Sequence, residues 1–91
     1  MFGNLFKPTL TGDGYDARWQ GRNTVCLKKA GRQFFVFIEP LVTTPLSVQM
    51  DLSGVWLDKS FAAKLSDKAL RDEVLRNARE YLESRRIGVE T

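Results

Sequence analysis

Five cations, Arg18, Arg22, Lys28, Lys29 and Arg32, are interleaved with Tyr15 and Trp19 in the first third of the chain. Guanidinium and ammonium groups beside aromatic rings suit a nucleic acid: the cations hold phosphates and the rings stack bases. Arg18, Trp19, Arg22, Lys28, Lys29 and Arg32 therefore form a candidate anion or nucleic-acid patch, with an affinity that falls steeply as salt rises. The same cations also suit hairpin tips, where they aid solubility and protect sheet edges. The strand Phe34-Phe35-Val36-Phe37 lacks the flanking glycines of an RNA-recognition strand.

Catalysis has less to draw on. The 91 residues include no His and one Cys. That excludes a histidine general base, a Ser-His or Cys-His pair, an intramolecular disulfide and a thiolate zinc cluster. Glu39 closes an apolar run and is the only acid between Asp16 and Asp51, so no second carboxylate stands at a readable spacing to complete an acid–base pair. Cys26 has Lys28 two residues away but no base or resolving thiol. The glycines at 12, 14, 21, 31 and 54 form neither a Walker loop nor a dinucleotide fingerprint. The expectation is a protein that is not an enzyme, with no cofactor and no metal.

The net charge of +3 is unevenly spread. Residues 7–32 carry a balance of +4, whereas residues 33–91 carry 8 basic and 9 acidic groups. The charge marks one surface rather than a generally basic protein. No segment approaches the roughly 20 apolar residues of a membrane span. The N-terminus lacks the basic and apolar regions of a secretory signal. A cytoplasmic, bacterial-type setting is expected, with no membrane partner.

These residues must be positioned by one small domain. Residues 1–14 read as an N-terminal arm, broken by Pro8 and Thr11-Gly12-Asp13-Gly14, and 15–91 as a single α+β domain. Strands are expected at 15–20, 24–29 and 34–38, then over 46–52, with a short strand at 55–57. Ala30-Gly31 supplies a tight reversal, and Pro40 should end the third strand. Leu46, Val48, Met50 and Leu52 alternate inward, and 58–65 reads as loop or helical turn. Ser66 is the expected N-cap of a helix carrying the stripe Leu70, Val74, Leu75, Ala78, Tyr81 and Leu82, with Gly88 as its stop. The expected architecture is an antiparallel sheet of four to five strands followed by one long C-terminal helix packed on one sheet face.

The third strand is apolar on both faces, so Phe35 and Phe37 need a cover from a helix, the arm or a second subunit. Phe35, Phe37 and Trp56 are therefore a candidate protein interface, together with Arg71, which falls inside the apolar arc of the helix. The partner expected there is another protein or a second copy of the chain. The polar helix face mixes signs, as solvated faces do, through pairs such as Asp72–Arg76 and Arg79–Glu83.

A Gly21-Arg22-Asn23 turn leads into a strand. Ala30-Gly31-Arg32 leads into another, ending Phe37-Ile38-Glu39-Pro40-Leu41. A Trp56 strand follows, and Leu65-Ser66-Asp67 opens a helix ending Tyr81-Leu82-Glu83. Over residues 21–88 this pattern resembles small uncharacterised bacterial α+β proteins, including some described as polymorphic-toxin immunity proteins. The resemblance implies a protein partner rather than a reaction, and it transfers no binding residue.

Overall fold

The structure, a computed structural model, describes residues 9–41, 46–58 and 60–90. It is α+β, with strands β1 (Thr9–Leu10), β2 (Asp16–Gln20), β3 (Thr24–Lys29), β4 (Arg32–Leu41) and β5 (Ser47–Met50), the helix α1 (Lys68–Ser84) and a last strand β6 (Gly88–Glu90). Six strands form one sheet in the order β1-β2-β3-β4-β5-β6. The sheet is mixed, which corrects the expected all-antiparallel arrangement: β6 runs parallel to β5. Parallel neighbours need a long crossover, and α1 lies within it. Gly88 does not stop the helix. It begins β6, where an added Cβ would lie 3.2 Å from the Cβ of Ser47.

Strand alternation gives the sheet two distinct faces. Ala17, Val25, Leu27, Phe34, Val36 and Ile38 point inward and join Val74, Ala78, Tyr81 and Leu82 of α1 in the core. Asp67, not Ser66, caps the helix by accepting a hydrogen bond from the Leu70 amide at 3.1 Å. At the other end Arg86 takes a φ of 60°. The Arg86 amide donates to Glu83 O at 3.0 Å and the Ile87 amide to Leu82 O at 3.0 Å. This is a Schellman closure with Arg in the position usually held by Gly.

The structure also corrects two strand ends. β4 runs through Pro40, which pairs with Val48. The Ile38 amide donates to Asn23 O on the β3 side, so the donor-less nitrogen of Pro40, two residues on, faces the space where β3 has already turned away. β5 stops at Met50, leaving Leu46 and Leu52 exposed rather than inward.

Residues 9–14 of the expected arm are bound to the body of the domain. Thr9 and Leu10 pair with Ala17 and Asp16. The Gly12 amide donates to Glu80 at 2.7 Å. Asp13 accepts from Asn77 at 2.7 Å and from Arg76 at 3.0 Å. Residues 1–8 lie outside the described residues.

Candidate interaction face on the outer side of the sheet

Beyond β5 the chain adds a further pairing to the edge of β4. After Met50 pairs with Ile38, the chain returns to β4 at Trp56, where Phe35 and Trp56 exchange both backbone hydrogen bonds at 2.8 Å. Trp56 in turn pairs with Lys64. The amide of Leu57 donates to Ala63 O and that of Leu65 to Val55 O, each at 2.8 Å. Residues 55–58 and 60–65 thus form a small hairpin at the edge of β4: its first arm falls on the expected short strand at 55–57, and its return arm lies in the stretch 58–65 expected as loop or helical turn.

Asp58 builds the tip of this hairpin. Its carboxylate accepts from the Ala62 and Ala63 amides at 3.0 and 2.9 Å, and from the Ser60 hydroxyl. These donors hold its carboxyl below the usual carboxylate range, the Ser60 hydroxyl most of all. The turn leaves Phe61 at a φ of 59°, a strained value for a bulky side chain. Its ring packs 5.8 Å from that of Phe37 and 5.8 Å from that of Trp56. The Lys64 ammonium sits 5.6 Å from the centre of the Trp56 ring.

The expected protein interface is therefore rearranged. Phe35 is only 4% exposed and offers a partner little surface. Phe37 and Trp56 remain half-buried and join Phe61, which sequence reasoning passed over, in an aromatic ridge. Exposed Leu52 (49%) and Leu57 (40%) lie in clefts on either side of it. Arg71 is not part of this face. It belongs to the helix on the opposite side of the sheet and pairs with its neighbour Asp72 at 3.5 Å.

The expected basic patch is likewise divided by alternation. Arg18 and Lys28 point outward and line a cleft of about 350 Å³ with Gln20, Gln33, Leu57 and Asp58, floored by Cys26 and Phe35. Burial pushes the Cys26 thiol up, while Lys28 and Arg18 pull it back. Lys29 and Arg32 point the other way: Lys29 sits 5.0 Å over the Tyr15 ring and Arg32 5.0 Å over that of Phe34. Trp19 also faces inward, its amide donating to the Tyr81 hydroxyl at 2.9 Å and its indole N–H to Arg22 O at 3.2 Å. Arg22 lies in the β2–β3 turn, in a cleft with Phe37 and Glu39.

Among the described residues no three His, Cys, Asp or Glu side chains are grouped to hold a metal. No helix among them is long and apolar enough to cross a membrane. No protein-family model matches the chain, and neither the curated proteins nor the solved structures compared with it give a match.

Proposed function

We propose that this chain is a binding module without catalytic activity, acting in the cytoplasm, and that it docks another protein on the outer face of its sheet. One observation carries the reading. The rings of Phe37, Phe61 and Trp56 form a continuous ridge, flanked by exposed Leu52 and Leu57, and a strained loop organised by Asp58 holds Phe61 in it. Aromatic anchors ringed by polar side chains are the usual composition of a protein-binding surface. Backbone strain concentrated at an exposed turn marks a place where shape serves something other than stability. The absence of His and the free, buried Cys26 fit the same reading.

The nucleic-acid alternative has less support. Only Arg18 and Lys28 of its six residues share a cleft on the outer face, and Lys29 and Arg32 rest on rings on the inner side. The aromatic residue of that set, Trp19, is packed against the core.

A photo-crosslinking side chain at Leu57 tests the proposal in cells that contain the native partner. A discrete heteromeric adduct from position 57, absent from the same group at Glu83 on the helix, is expected. Adducts equal at both positions, or none, would overturn it. A homodimeric adduct would assign the face to a second copy instead.

A further inference from the structure

The outer face carries charge of both signs, segregated along β4. Gln33, Phe35, Phe37 and Glu39 succeed one another on this face at alternate positions, a run of roughly 20 Å at the rise of a strand. At the Gln33 end lies the cleft of Arg18 and Lys28. At the Glu39 end lies a second cleft of about 430 Å³, lined by Phe37, Glu39, Gln49, Met50, Asp51 and Leu52, with two acids and no cation. The aromatic ridge stands between them.

In the first cleft the unengaged charged groups are cations. Neither Arg18 nor Lys28 is in an ion pair among the described residues, and the Gln20 and Gln33 amides make no side-chain hydrogen bond there. Asp16 stands opposite Lys28 in register, but no ion pair joins them. The one acid lining the cleft, Asp58, has both oxygens occupied by its own loop. At the Cys26 thiol on the floor, the fields of Lys28 and Arg18 each outweigh that of Asp16. In the second cleft the charged groups are carboxylates: Glu39 is exposed, and among the described residues Asp51 Oδ1 accepts from the Ser53 amide at 2.8 Å. Arg22 borders Glu39 from the far side of Phe37 without an ion pair.

We infer that the docked partner presents a bipolar segment, laid along β4, that places carboxylates between Arg18 and Lys28 and cations against Glu39 and Asp51, with apolar side chains on the Phe37–Phe61–Trp56 ridge between. The inference rests on the docking reading above and adds the partner's chemistry and direction. A nucleic acid carries one sign of charge along its length and meets repulsion at the Glu39 end. A protein segment carries both signs, and such complementarity sets the register of docking.

The two poles can be read separately by titrating the isotope-labelled protein with hexaglutamate and with hexalysine and following backbone amides. Hexaglutamate should move Arg18, Cys26, Lys28 and Gln33. Hexalysine should move Glu39, Gln49 and Asp51. The double change Arg18→Glu and Lys28→Glu should weaken hexaglutamate about tenfold and leave hexalysine within about twofold. Glu39→Lys should do the reverse. Lys68→Glu, on the exposed start of the helix, should change neither. Four results overturn the inference: both peptides moving the same amides, hexaglutamate shifts that follow Lys68 rather than Arg18 and Lys28, oligothymidylate moving amides at both poles, or neither peptide moving any. Peptide failure alongside a position-57 adduct removes the bipolar segment alone. Loss of the adduct removes the docking reading itself.

Discussion

Phe35 and Trp56 exchange both of their backbone hydrogen bonds at 2.8 Å, so the segment around Trp56 extends the sheet along the edge of β4 and sets the Trp56 side chain beside that of Phe35 on the outer face. The consequence is energetic as well as topological. Phe35 is 4% exposed within one copy of the chain. Phe35→Ala should therefore cost about 3–5 kcal/mol in urea unfolding, the range for removing a buried aromatic side chain. The wild-type Tm should stay constant over an about hundredfold range of protein concentration, because one copy of the chain suffices for this burial. A Tm that climbs with concentration would show that a second copy adds to it.

Tyr15 supplies a pH signature. Its ring is buried and its hydroxyl donates to Glu73 at 2.5 Å. Burial first, then the hydrogen bond and the charge of Glu73, push its pKa up to about 12 from 10.0. A phenol whose folded pKa is raised retains its proton when the unfolded chain has lost it. The stabilisation is thus complete below pH 10 and is lost as pH rises towards 12. Stability should fall by about 2–3 kcal/mol across that window. Denaturant melts at pH 9 and pH 11.5 would measure the fall, with Tyr15→Phe showing a smaller one.

Besides Phe61, two left-handed positions among the described residues are occupied by residues other than Gly. Ala30, at a φ of 51°, precedes Gly31, at 77°, in the two-residue turn closed by Lys29 and Arg32. Positive φ at both central residues is the type I′ signature. Arg86 occupies the helix-closing position at 60°. Ala30→Gly and Arg86→Gly should each add about 1 kcal/mol, since Gly avoids the Cβ clash of this region. The effects should be additive, as the two sites share no contact. Thermal unfolding of the single and double variants tests this, and a loss of stability in either variant would mean that its side chain does more than tolerate the turn.

The docking of residues 9–14 depends on polar contacts rather than on burial. Asn77 and then Arg76 hold the Asp13 carboxyl below the usual range. Glu80 receives the Gly12 amide. Asp13→Asn combined with Glu80→Gln should speed hydrogen exchange at Thr11 and Gly12 while leaving the β3–β4 amides protected. Equal loss of protection throughout would make these contacts part of the global fold.

The same contacts show what was legible in advance. β3 matches its expected bounds, Thr24–Lys29, because Val25 and Leu27 alternate cleanly with Thr24, Cys26 and Lys28 between sharp turns. The stripe of α1 was equally plain, since its spacing repeats over several turns. Asn77 was not, because a buried amide in an apolar stripe makes sense only once Asp13 is seen beside it. Phe61 was hidden for a similar reason. A lone aromatic in a polar loop carries no period, and the only local signal was the turn chemistry of Asp58 and Ser60.

By itself the sequence determined the alternation of each strand and the stripe of the helix. With no His and one Cys it excludes a histidine base and an intramolecular disulfide, and its period-2 and period-3.6 patterns point to a sheet beneath a helix. Tertiary structure alone decided which of the marked residues share a surface. Five cations that are neighbours along the chain part company because successive strand side chains point to opposite faces, so Arg18 and Lys28 face outward while Lys29 and Arg32 rest on Tyr15 and Phe34. The added pairing of Trp56 with Phe35 and the parallel β6 were also decided at that level. Each rests on backbone hydrogen bonds between segments far apart in the chain, which no local pattern encodes.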